Sequence, residues 1–393
     1  MSKFMRREMR TGLACVVFGV LSFFVSSVCV GQDSLRYPLP GTPLLSGNFF
    51  ELRGTHFHAG LDFKTGGKEG LPVICVKDGY LARVCVSPTG YGNALYLAHE
   101  GGITTVYGHL RRFVPRVARL VRDMQYRKES FAVDTVLLAD SIFFHAGDTI
   151  AYSGNTGSSG GPHLHFEMRD TESESILNPQ RYLFIPDETA PTVRGVYVYA
   201  FRADGVCAER RLVGVKNKGG RRYAAGRVAV PAGRVGLGVH ADDFMKGSWN
   251  KLGLHTLTVW AAGRKIFHLR ADSSDFSQSR WINAVKDFDL YREGKTVYRT
   301  FGHYQSRVRG TWNSAGGCVI VPKDSLVPVR LELTDVAGHR SVVELELLGR
   351  DSLPAAEGEK VLEVGKEYRL EAGGYTLYIC DDILPEPLAV EEK

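Results

Sequence analysis

The chain has 393 residues, room for two or three domains and a sizeable core. Hydrophobic residues at 44% and charged residues at 23% argue against a disordered, collagen-like or coiled-coil chain, and 44 glycines with few Ala-, Glu- or Leu-rich runs favour a β-rich, turn-rich fold. The net charge is only +6, so wholesale nucleic-acid binding is not expected.

At the start, Lys3, Arg6, Arg7 and Arg10 stand against Glu8, and no charge follows from Thr11 to Val30, the layout of a secretory signal peptide over residues 1–31. Small residues at Cys29 and Gly31 suit cleavage before Gln32, which leaves a net charge of about +3. Retained, the same segment would anchor the chain, and lipidation of Cys29 would do so too; membrane contact is expected only in those cases. Either way the rest of the chain is expected outside the cytoplasm, in the periplasm or envelope or secreted. Cys75, Cys85, Cys207, Cys318 and Cys380 remain, odd in number, irregularly spaced and without a CxxC, so buried free thiols are expected and not a disulfide scaffold. A Cys75–Cys85 pair across a hairpin at Asp78-Gly79 would sit at unequal offsets from the turn.

Residues 70–107 read as short strands with period two, VICV, YLARVCV, NALYLAHE and TTVYGHL, separated by Gly-containing turns, and predict an antiparallel meander. Between His109 and Gly147 the pattern changes. Phe113, Val117, Leu120, Val121 and Met124 fall at helical spacing among Arg111, Arg112, Arg116, Arg119, Arg122, Arg127 and Lys128, a basic amphipathic helix inserted into a β domain. Phe184 to Pro191 has the composition of a linker. Beyond it, β runs such as GVYVYAF, LHTLTVWAA and VPVRLELTD, with a hairpin turn at Asp335-Val336-Ala337-Gly338, predict an immunoglobulin-like β-sandwich. The expected layout is thus mainly β: a first domain over 32–188, the sandwich over 189–350, and a C-terminal β extension and tail over 351–393.

Five of the twelve histidines, His56, His58, His109, His163 and His165, sit in short motifs of the first domain. In extended chain, positions two or four apart share a face, so His58 and Asp62 can reach one ion, as can His163 and His165. Nitrogen and oxygen ligands in this mixture suit zinc, and the absence of neighbouring cysteines points to an open, hydrolytic site and not a closed structural one. Such an ion lowers the pKa of a bound water to about 7 and polarises a carbonyl. Spacing alone does not choose between His163 and His165 as ligand, and His56 shares the parity of His58. Glu167, two residues past His165, reads equally as a partner of that ring and as a solvated strand carboxylate; Tyr107 reads equally as groove lining and as core.

The stretch from Leu45 to Asn178 resembles the lysostaphin-type (LytM-like) zinc metalloendopeptidases, which cut peptide bonds of bacterial cell-wall peptidoglycan. The matching text is HFHAGLDF at 56–63, GYGNALYLAH at 90–99, VYGHL at 106–110 and SGNTGSSGGPHLHFEMRD at 153–170. The resemblance implies a compact antiparallel β peptidase domain, duplicated-hybrid-motif-like, with its site in an open groove. It implies zinc held by His58, Asp62 and His165, His163 as general base, and His109 assisting the oxyanion or positioning the water. Stem peptides or cross-links of peptidoglycan are the implied substrate. The alternatives are a catalytically silent regulator that activates another wall hydrolase, and a secreted protease acting on proteins.

The segment from Arg111 to Ala146 is longer than compact members would have, and its helix is expected either as a wall beside the groove or as a solvated prop. Arg210 to Arg234 holds eight basic residues and no acid, and with Trp249, Trp260, Trp281 and Trp312 makes the C-terminal region a candidate for an envelope partner.

Overall fold

Alternating apolar and polar residues leave a strand with one face to bury, so the runs of the first half must pair and stack. A computed structural model describes residues 35–138, 142–354, 359–372, 374–384 and 386–391; the expected signal segment, Cys29 included, lies outside them. The first half forms β1 (Leu45–Gly47), β2 (Leu61–Lys64), β3 (Pro72–Ile74), β4 (Gly79–Val86), β5 (Asn93–His99), β6 (Ile103–Gly108), β7 (Leu110–Phe113), α1 (Pro115–Lys128), β8 (Val133–Val136), β9 (Phe143–Phe144), β10 (Thr149–Ser153), β11 (His163–Asp170) and β12 (Ile176–Leu177). The main sheet runs β1-β2-β11-β6-β5-β4-β8 with antiparallel neighbours. Its centre is the expected meander β4-β5-β6. Leu61, Leu81, Leu95, Leu97, Leu164, Phe166 and Tyr107 are fully buried, each contributing about 1.5–3 kcal/mol of transfer free energy. Tyr107 is therefore core and not groove lining.

Two local expectations are corrected. The VICV run does not pair with β4: β3 joins β10, and β10 joins β7, in a separate three-stranded sheet. Asp78 is the reason, since its Oδ1 accepts the Ala146 N–H at 2.6 Å and it thereby caps the turn before β10 instead of closing a hairpin. Cys75 and Cys85 are free, as are Cys207, Cys318 and Cys380, and Cys380 is exposed. Phe113 belongs to β7 and not to the helix. Pro115 starts α1, where its missing N–H costs nothing, and Val117, Val121 and Met124 form the buried face.

In the second half, Thr192–Phe201 is the hub of a five-stranded sheet, flanked by Cys207–Gly214 and Gly233–Asp242. A seven-stranded sheet includes Arg222–Pro231, Arg340–Arg350, Leu326–Thr334 and Thr256–Ala261; its first two pair in parallel and its other neighbours are antiparallel. The two halves share one hydrophobic cluster, running from Leu45, Phe49 and Phe166 to Val196, Leu257 and Leu347. They also share a sheet, because β12 pairs with Ser273–Ser274. Residues 359–391 add two small strand pairs. Among the described residues no helix is long and apolar enough to cross a membrane.

Candidate metal centre

The register of β2 against β11 sets His165 opposite Asp62. Strand parity then puts His163, His165 and Glu167 on one face, and Gly108 of β6, opposite His165, adds no side chain there. His58 arrives on a tight hairpin over residues 48–58, closed by the Leu52–Phe57 bridge and by Phe50 N–H to His58 O (2.9 Å) and His58 N–H to Glu51 O (3.0 Å). Gly60 lets the chain pass β11: a Cβ there would lie 2.2 Å from the Phe166 carbonyl oxygen.

Three polar atoms converge at the floor of the resulting groove. His58 Nε2 lies 3.0 Å from Asp62 Oδ1 and 3.2 Å from His165 Nδ1, which is 2.9 Å from the same carboxylate oxygen. Each group is fixed by its other polar atom. His58 Nδ1–H donates to Asn48 O at 2.7 Å, His165 Nε2–H to Glu167 Oε1 at 2.8 Å, and Arg53 Nη2 to Asp62 Oδ2 at 2.9 Å. Both imidazoles are thus held with their second ring nitrogen turned inward, where a bound cation would take the lone pair. Two imidazoles and a carboxylate with all three donor atoms within 4.8 Å of one another fit a divalent transition-metal ion bound by three protein ligands.

Two more imidazoles edge the groove. His163 is half-buried, its Nδ1–H donating to Gly161 O at 2.8 Å and its Nε2 lying 3.4 Å from Asp62 Oδ1. His109 sits at the break between β6 and β7 with φ 58°, left-handed backbone that a non-glycine residue adopts only when its surroundings impose it. Its N–H donates to Tyr91 O and its Nδ1–H to Thr156 O, both at 2.8 Å, and its ring centroid is 4.7 Å from that of His163. His56 lies exposed on the rim, outside the converging group. The groove, about 380 Å³, is further lined by Gly90, Tyr91, Ser158, Ser159 and Gly160; no residue of α1 lines it, so the helix is not its wall.

Burial alone would raise the Asp62 carboxyl, but the imidazoles of His58, His163 and His165 hold it well below the usual carboxylate range. Burial lowers His58. His165, between two carboxylates, is raised to about 9 against its burial, so a bound cation would replace a proton there. Burial and the neighbouring His165 and His163 rings push His109 down to about 4, leaving it neutral near pH 7. Glu167, fully buried, also accepts from Tyr91 OH and from Arg169, itself bonded to Glu174 at 2.8 Å. Parity pointed to Glu167 in the sequence. Nothing in spacing pointed to Tyr91, Arg53 or Asn48, whose roles arise from the hairpin and from long-range contacts.

No family model matches the chain. A Haemophilus influenzae protein named an uncharacterized metalloprotease is 31% identical over 145 residues, 35% of this chain and 25% of that protein. A DD-carboxypeptidase/endopeptidase of Neisseria meningitidis serogroup B is 32% identical over 112 residues, 28% of this chain and 20% of that one. The chain thus spans about a quarter or less of the length of these curated relatives. Among solved structures, a zinc-containing peptidase from Vibrio cholerae aligns at TM-score 0.25 and 28% identity, over 34% of this chain and 36% of its own. The curated relatives bear the names of metallopeptidases, in line with the peptidase motifs read from the sequence.

Proposed function

We propose, from the kinship of its first half with lysostaphin-type peptidases, that the chain is an exported zinc metalloendopeptidase hydrolysing peptide bonds in stem peptides or cross-links of bacterial peptidoglycan. The carrying observation is the convergence of His58 Nε2, Asp62 Oδ1 and His165 Nδ1, each tied by a second bond, at the floor of a groove edged by two further imidazoles. These three residues would hold zinc, which when bound supplies Lewis acidity and brings the pKa of a water to about 7.

The remaining chemistry belongs to the protein. His163, its Nδ1–H engaged by Gly161, keeps a lone pair at Nε2; it takes a proton from the attacking water and returns it to the leaving amine. His109 is neutral near pH 7 and donates through Nδ1 to Thr156, so its Nε2 only accepts. It therefore orients the water and does not donate to the developing oxyanion, which narrows the two roles the resemblance implies. The groove's small wall residues, Gly90, Ser158, Ser159 and Gly160, leave space for an extended peptide. Export by residues 1–31 and a peptidase domain over 32–188 complete the reading.

The test is digestion of purified sacculi by the 32–393 protein, with released muropeptides identified by mass, beside His163→Ala and a chelated sample. Release by the wild type alone is expected, and the masses name the bond. A wild type that binds zinc and releases nothing overturns the proposal.

A further inference from the structure

We infer that Lys286, far along the second half of the chain, is a positioning residue for the metal ligands, clamping the tip of the hairpin that carries His58 and Arg53. The inference rests on the proposed metal site. Lys286 lies between two short helices, α2 (Ile282–Val285) and α3 (Phe288–Arg292), and is fully buried. Its Nζ donates to the carbonyls of Arg53 (2.8 Å) and Gly54 (2.7 Å) and lies 4.3 Å from the ring centroid of Tyr291. Among the described residues it forms no ion pair with a carboxylate.

A buried ammonium without a carboxylate is costly, and only well-placed acceptors offset that cost. Burial accordingly draws its pKa down to about 8, so it still carries its proton near neutrality. The arrangement is therefore stiff: displacing the two carbonyls would leave the charge unsatisfied. The same hairpin is gripped at its base, where Asn48 Nδ2 donates to Gly253 O at 2.9 Å and Gly253 N–H returns to Asn48 Oδ1 at 2.7 Å. Between the two grips lie the bonds that aim the ligands, Asn48 O to the His58 ring and the Arg53 guanidinium to Asp62. The second half thus forms the bed on which two of the three ligands are set.

The experiment uses the full-length protein with Lys286→Met, which keeps the length and loses the donors, and Lys286→Ala, whose missing atoms n-propylammonium replaces. Zinc affinity is read by chelator competition, without substrate, beside the melting temperature. The expected result is a folded Lys286→Met, melting at or above wild type, with zinc affinity weakened about 10- to 100-fold. Lys286→Ala should show the same loss, restored by n-propylamine and not by n-propanol. A role in packing alone would move the melting temperature and leave the affinity of the folded protein untouched. Wild-type zinc affinity in folded Lys286→Met, or no response to the amine, overturns the inference. Because affinity is read without substrate, a wild type that binds zinc but cuts no peptidoglycan refutes the proposed function alone.

Discussion

Replacing Glu167 by Gln tests how the site is held. Glu167 is fully buried and accepts from His165, Tyr91 and Arg169, and Arg169 is only 4% exposed, with the exposed Glu174 as its remaining carboxylate. An amide cannot serve all three, because its NH₂ must face one of these donors. Burial opposes the charge, yet His165 and Arg169 hold Glu167 at about 2 against an ordinary 4.5. At 1.36 kcal/mol per unit this is worth about 3 kcal/mol at pH 7. The figure agrees with the roughly 3–5 kcal/mol expected on removing one partner of a buried ion pair. The group's folded pKa is depressed, so its stabilisation is present above pH 4.5 and is lost as pH falls through about 2. Urea unfolding of chelated wild type and Glu167→Gln should therefore differ by about 3 kcal/mol at pH 7, with the gap closing below pH 4.5. Zinc affinity should fall about 10- to 100-fold as the His165 ring loses its anchor. Equal midpoints and equal affinity would refute the reasoning that Glu167 sets the tautomer and orientation of His165.

Other expectations are as direct. His163→Ala should keep zinc affinity near wild type while turnover falls about 10²- to 10⁴-fold, read by equilibrium competition and muropeptide release. Asp243, 2% exposed with its Oδ1 unpartnered, is raised to about 8 by burial and by Asp335 and Asp187. Stability from that raised group is present below pH 3.8 and lost as pH rises through about 8. Asp243→Asn should therefore be more stable than wild type by about 2–4 kcal/mol at pH 7 and no different near pH 4, measured by thermal or urea unfolding. Arg116, Arg119 and Arg122 are exposed on a helix that does not line the groove; changing all three to Gln should leave release from soluble peptide substrates unchanged.

The strands of the meander and the basic helix were legible because their periodicity is local, with one face to bury. The same holds for His163 and His165, whose shared face is a property of strand β11, whereas His58 reaches Asp62 from a hairpin and not along one extended strand. Choosing His165 over His163 was not legible in parity, since both share a face. The difference lies in the register with Asp62 and in Glu167, which turns Nδ1 of His165 inward, whereas Gly161 turns Nε2 of His163 toward the groove. The misplaced strand β3 has a similar cause: Asp78 looks like a turn residue in sequence, and its partner Ala146 is 68 positions away. Asn48 and Arg53 were invisible because the fold of the hairpin confers their roles, and Lys286 because its contacts cross 233 and 232 positions.

The grip of the second half on the His58 hairpin also has a kinetic side. Asn48 meets Gly253 across 205 positions, and Lys286 meets Arg53 across 233. Closing loops of that span is slow, and it cannot begin before the distant segment exists. In a chain synthesised from its N-terminus, the motifs that carry the ligands emerge early, while the contacts that seat them come late. The seating of the His58 hairpin is then among the last arrangements the folding chain acquires.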